Sequence, residues 1–175
     1  MAALPADLPS FGGRLVPRDP ARVKAMVAHL RRELQEASKA GRARVVRSNV
    51  PDADPDIVAI ACTACGGHCC RKGGNDGFLD THDLVRISRA LRLNRTKLEA
   101  AYTAAVADAT YQDSCIFHAA GGCTLPREMR SRICNAYYCG PLERHLKGEA
   151  ARGLNPFRSA GSDPSPILPL SRRRA

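Results

Sequence analysis

Residues Ala61–Gly74 read ACTACGGHCCRKGG and place four cysteines, Cys62, Cys65, Cys69 and Cys70, close together. A second four, Cys115, Cys123, Cys134 and Cys139, follows later in the chain, and the total of 8 cysteines leaves none outside the two groups. The spacings are C-x2-C-x3-C-C and C-x7-C-x10-C-x4-C. A C-x2-C pair lets two thiolates from one tight turn reach a single ion, and Gly66-Gly67 supply the backbone freedom needed just after it. Adjacent side chains diverge, so Cys69 and Cys70 are expected to serve two different ions, or two metals of one cluster. The two groups must then meet in space, with four plus four ligands filling two tetrahedral sites.

Two other readings compete with metal ligation. Buried free cysteines behave as small apolar residues, but eight at this spacing are hard to attribute to packing. Disulfides need an oxidising compartment. The N-terminal MAALPADLPSFGG lacks the basic start and apolar stretch of a secretory signal, and no apolar run approaches the about 18 residues of a membrane span. A cytosolic chain is therefore expected, in which cysteine spacing signals metal binding or redox chemistry.

Composition points the same way. Only 5 % of residues are aromatic and Trp is absent, so the core is expected to consist mainly of Ala, Leu, Val and Ile and to gain from a metal staple. The formal charge of +10 admits nucleic acid or anionic partners. No basic module interleaved with aromatics is present, however, so a solvated basic surface is the simpler account.

Along the chain, residues 1–18 are expected to be an irregular N-terminal segment. Asp19-Pro20 supply an N-cap and a first-turn proline for an amphipathic helix over 19–41, with Val23, Met26, Val27, Leu30 and Leu34 inward and Gly41 closing it. Residues 42–60 read as a linker and 61–153 as the cysteine-cluster domain. Within that domain, helices start near Asp80-Thr81 and near Asn94 or Thr96. Ala119-Ala120-Gly121-Gly122 suggest a short β-hairpin, and Gly140-Pro141 open a last helix. Residues 154–175 read as a flexible basic tail ending SRRRA. The fold class expected is mostly α: a small cysteine-cluster domain with helices packed around it.

Thiolate-rich sites suit zinc and iron–sulfur alike. The ferredoxin runs C-x2-C-x2-C-x3-C-P and C-x4-C-x2-C are both absent, which tilts the choice toward zinc, with iron close behind. CTACGGHCC followed by CIFHAAGGCTLPREMRSRICNAYYC resembles the YkgJ-type cysteine-cluster family, a zinc- or iron-chelating domain with a CxxCxxCC signature. The resemblance covers residues 61–141. It implies that Cys62, Cys65, Cys69, Cys70, Cys115, Cys123, Cys134 and Cys139 are the metal ligands. One departure is that Gly66-Gly67-His68 separate Cys65 from the Cys pair, where the signature has two residues. The extra residue either loops out or brings His68 into the site. Flagellin lysine methylases carry a similar cluster, the family's one suggestion of catalysis.

His68 and His118 lie within the cysteine segments and are candidate ligands or donors to a thiolate. His29, His82 and His145 fall on the polar faces of the expected helices. Cys139 precedes Gly140-Pro141, near the positive end of the last helix, where a thiolate is favoured. Arg127, Arg130 and Arg132 crowd Cys134 and either offset surplus negative charge at a tetrathiolate or form an exposed basic turn. Asp80 and Asp83 read as helix-cap residues. No G-x-S-x-G, P-loop, G-x-G-x-x-G or H-E-x-x-H is present, and no catalytic residue can be named. Three functions are therefore carried forward. The first is a metal-binding protein of zinc or iron. The second is an iron–sulfur enzyme modifying another protein or acting in redox chemistry, and the third is a zinc-stabilised nucleic-acid-binding module.

Overall fold

Asp19 accepts from the backbone N–H of Ala21 at 2.8 Å, and Pro20 follows at the first helical position, so helix α1 (Pro20–Glu36) begins where its two start signals coincide. The same logic recurs downstream. Asp80 caps α3 (Thr81–Leu91) and Asn94 caps α4 (Arg95–Ala105), each carboxylate or amide oxygen accepting from the N–H three residues on. These elements belong to a computed structural model that describes residues 4–37, 47 and 55–148.

Helices α1, α3 and α4 pack as one body. Met26 and Leu30 of α1, Leu84 and Ile87 of α3, and Leu98 and Tyr102 of α4 are all completely buried. Burying a residue such as leucine contributes about 2 kcal/mol, so this aliphatic stripe is the main driving force of the helical half. Aromatics nonetheless occupy the junction. Tyr102 and Phe117 are the largest fully buried side chains, with ring centroids 5.8 Å apart, and they join the helices to the cysteine segments.

The remaining elements carry the cysteines. Helix α2 spans Pro55–Ala64, a 3-10 turn follows at His68–Lys72, strands β3 (His118–Ala119) and β4 (Gly122–Cys123) form a hairpin, and α5 (Arg132–Ala136) and α6 (Gly140–Leu146) close the described chain. Two further strands, β1 (Leu15–Pro17) and β2 (Ala109–Tyr111), pair antiparallel with Val16 opposite Thr110. The expected mostly α-helical domain with a short hairpin is what forms. Among the described residues no helix is long and apolar enough to cross a membrane.

Several expectations need correction. The segment 1–18 is not wholly irregular: β1 lies within it, and Arg18 reaches the C-terminal end of α4, donating to the carbonyls of Val106 (3.2 Å) and Thr103 (3.0 Å). Carbonyls at a helix end have few partners of their own; Thr103 already accepts a long bond from the Val106 N–H at 3.3 Å, and the guanidinium supplements it. The linker expected over 42–60 ends early, because Pro55 and Asp56 start α2 and its apolar run continues through Ala61 into Cys62. His29 is half-buried, with its Nε2 at 2.7 Å from the carbonyl oxygen of Leu79; His82 and His145 are half-buried as well. Gly41, the linker residues before Pro55 other than Arg47, and the tail 154–175 lie outside the described residues.

Asp83 is more than a cap residue. Its side chain is buried, and its Oδ1 accepts from both the backbone N–H and the Nε of Arg132, each at 3.0 Å. Arg132 also donates to Asp80 at 2.7 Å. Burial raises the Asp83 carboxyl from its ordinary value, and the Arg132 N–H opposes that rise. The clamp fixes the start of α5, and hence Cys134, on the end of α3. Asp83→Ala leaves two donors without an acceptor and should lower stability by about 2–3 kcal/mol, read as an earlier urea midpoint.

Candidate functional site

Helix α2 delivers the first two thiols. Its end is enforced by Gly66 and Gly67, both left-handed at φ 63° and 79°. The carbonyls left over at that end find partners from elsewhere in the chain. Phe11 N–H donates to the Cys65 carbonyl at 3.1 Å, and Nε2 of His118 donates to the carbonyl of Gly66. Because a carbonyl only accepts, Nε2 carries the ring proton, and Nδ1 accepts from the Ser114 hydroxyl at 2.7 Å. His118 is fully buried between Phe11 and Tyr111, each ring centroid 4.6 Å away, and burial lowers its pKa, which keeps it neutral. Both nitrogens are thus committed, one to Ser114 and the other to the Gly66-Gly67 turn that follows Cys62 and Cys65, a hook of two thiols and two glycines. The candidate ligand role of His118 gives way to a positioning one.

The second segment is tied directly to the first. The carbonyl of Cys70 accepts from Gly73 N–H and from Cys115 N–H, both at 2.9 Å, and Gly74 carbonyl accepts from Ile116 N–H at 2.8 Å. Gly73 must lack a side chain here, since a Cβ would lie 2.7 Å from Cys115 Cβ and 3.0 Å from its sulfur. Gly77 lies 3.8 Å from the Cys115 sulfur by the same measure, and its carbonyl is 3.8 Å from the sulfur of Cys134.

The thiols converge. Cys62, Cys65, Cys69, Cys70, Cys115, Cys123 and Cys134 line one cavity of about 280 Å³, backed by Phe117, Leu125 and Ile133. Cys139, the N-cap residue of α6, lines an adjoining crevice that it shares with Cys62, Cys65 and Cys69. His68 lines that crevice too, beside the four sulfurs. All eight cysteines are free, so no pairwise S–S bond forms. Cys62 and Cys134 are exposed, and both line the cavity. As they stand, no three His, Cys, Asp or Glu side chains among the described residues make a group that could hold a metal ion.

Electrostatics follow from this crowding. Burial first, then the neighbouring Cys69, Cys65 and Cys139, push the Cys62 thiol up to about 12. Burial first, then Cys134 and Cys123, push Cys115 up to about 12, and burial pushes Cys134 to about 11. Arg127 and Arg130 line the cavity and act in the opposite sense, on Cys62 and Cys134 respectively. Of the three arginines expected to crowd Cys134, Arg132 is engaged by Asp80 and Asp83, which leaves Arg127 and Arg130 to balance charge. Arg130 is held in place by its Nε bond to the Leu125 carbonyl, at 2.8 Å.

Compared with protein-family models, with curated proteins and with solved structures, the chain matches none. The functional reading therefore rests on the site itself. Thiols are the donor type that soft cations take, and here they line the cavity and its adjoining crevice, with Gly73 open against Cys115 and Arg127 and Arg130 beside them.

Sequence reasoning missed Ser114, Phe11 and Tyr111 as supports of the hook. The one signal for them was the burial expected of aromatics in a chain with so few.

Gly67→Ala puts a Cβ 2.5 Å from His118 Nε2 at a left-handed φ and should cost about 1–3 kcal/mol. His118→Phe orphans the Ser114 hydroxyl and the Gly66 carbonyl and should cost at least as much. Urea midpoints of the two variants against the parent chain measure both.

Proposed function

We infer that the chain is a metal-binding protein that uses its eight cysteines as thiolate ligands, with zinc favoured and iron next. The observation carrying this reading is the convergence of seven cysteines on one cavity with the eighth on its edge, although they come from separate segments of the sequence. Packing alone gives no reason to gather every thiol of a chain in one place, and the resemblance to the YkgJ-type cluster points the same way. Cys62, Cys65, Cys69, Cys70, Cys115, Cys123, Cys134 and Cys139 would hold the metal, which when bound supplies cross-links between these segments.

The role is structural or carrier-like. A structural zinc site contributes on the order of 10 kcal/mol of folding free energy, comparable with the whole net stability of a typical domain. Here α2, the hairpin, α5 and α6 are short and each carries or abuts a cysteine, so they gain most from such a tie. His118 and Ser114 keep the hook in shape, the Asp83–Arg132 clamp presents Cys134, and Arg127 and Arg130 moderate the negative charge that gathered thiolates create.

The iron–sulfur reading shares this donor set and differs in colour. The nucleic-acid reading draws on the net charge alone and is the weakest. Elemental analysis with an absorption spectrum on protein prepared without oxygen should give about two zinc ions per chain and no visible band; brown protein bleached by air would favour the iron–sulfur enzyme instead. Exhaustive chelation should collapse the helical circular dichroism signal. A signal unchanged after complete metal removal would overturn the structural role.

A further inference from the structure

The sequence groups the cysteines by segment, four early and four late, but their surroundings divide them differently. Cys69 and Cys70 lie in the 3-10 turn His68–Lys72. With three residues per turn, their side chains point about 120° apart. Cys69 faces the crevice lined by Cys62, Cys65 and Cys139, together with Tyr137, Tyr138 and Leu142. Cys70 is absent from that crevice; like Cys123, it packs against the hydrophobic core.

The late cysteines divide as well. After α5 ends at Ala136, extended backbone at Tyr137 and Cys139 leads to α6, and Cys139 lines the crevice of Cys62, Cys65 and Cys69. Cys139 thereby joins the hook. Cys115 and Cys134 stay behind, flanking the same residue, Gly77, and Cys115 is bonded through its backbone N–H to Cys70. Cys115, Cys123, Cys134 and Cys70 line the larger cavity and not the crevice, whereas Cys139 lines the crevice and not the cavity.

We propose that the sites are interleaved, with Cys62, Cys65, Cys69 and Cys139 holding one ion and Cys70, Cys115, Cys123 and Cys134 the other. The proposal rests on the metal-binding reading above and adds the ligand assignment: each ion takes three thiolates from one segment and one from the other. Neither segment completes a site alone. The adjacent pair Cys69-Cys70 is the point where the two sites touch, and Cys62, Cys65 and Cys69 also line the larger cavity with Cys134 across that boundary.

Paired cysteine-to-serine variants of the full chain, loaded with zinc and freed of excess ion, separate the possible assignments by metal content. The double variant C62S/C139S should keep one ion, like C139S alone, while C115S/C139S should keep none. The reverse result, none in C62S/C139S and one in C115S/C139S, would overturn the interleaving in favour of segment-by-segment sites. Loss of both ions from every single variant would overturn it in favour of one shared cluster. A parent chain that binds no metal through its thiols would instead defeat the metal-binding reading itself.

Should a variant fail to fold, the parent chain gives the same answer. Partial chelation yields a one-ion species, selected by native mass spectrometry after N-ethylmaleimide labelling and then fragmented. Labels should fall on Cys62, Cys65, Cys69 and Cys139 as a set, or on the other four as a set. A labelled set that joins Cys139 to Cys115 would overturn the assignment.

Discussion

The carbonyl oxygen of Cys70 accepts two backbone hydrogen bonds, and one of them, from Cys115, joins two segments separated by the whole of α3 and α4. With the parallel bond from Ile116 to Gly74, it forms a short stitch that sets how the two groups of cysteines face each other. Buried backbone groups must be paired, so the stitch leaves little room for sliding. Gly73 and Gly77 matter because of it: the chains approach so closely that side chains at either position would press on Cys115 or Phe117. The thiol cavity is the space left beside this contact.

The helical half supplies rigidity at that stitch. Arg22 of α1 donates to Asn75 at 2.8 Å and to the carbonyls of Tyr111 and Ser114, so the first helix grips both strands of the chain that lead into the cysteines. Arg86 of α3 donates to the Arg130 carbonyl at 2.7 Å, and Tyr102 of α4 donates to the Met129 carbonyl at 2.8 Å. Polar side chains of the helices thus bind the backbone of the segment before Cys134, where little regular structure exists to pair it. The few aromatics are placed with similar economy. Phe117 and Tyr102 fill the junction, while Phe11 and Tyr111 enclose His118, so the rings serve the cysteine half more than the helical stripe.

Much of the helical half was legible because its signals are local. Asp19-Pro20, Asp80 and Asn94 each mark a helix start through a hydrogen bond made within three residues, and the apolar spacing of α1, α3 and α4 names the buried faces. Helix α2 was not legible. Its residues Ile57 to Ala61 are uniformly apolar and follow a run of turn formers, so no polar face marked a helix. The supports of the site were illegible for another reason. His118 is an ordinary candidate ligand by position, and only the distant Ser114, Gly66, Phe11 and Tyr111, assembled by the fold, commit both of its nitrogens. Arg132 likewise looked like one of three equal cations until Asp83 claimed it. Local chemistry gave the cysteines as a set; partnership within the set is a tertiary property.

Under the proposed metal binding, that partnership would bear on stability through chain entropy. Ligands from a single short loop restrict an unfolded chain only a little, whereas joining the hook to Cys139, or Cys70 to Cys134, closes loops that contain α3 and α4. The entropy removed from the unfolded state rises with the logarithm of loop length, so ties of this span gain more than local ones. Such ties would also hold α6 against α2, which meet at a crevice lined by Leu142, Ala61 and the sulfurs, while Arg144 reaches Asp7 in the N-terminal segment. With metal bound as proposed, a chain with few large rings in its core would use its sulfurs where a larger protein uses buried area.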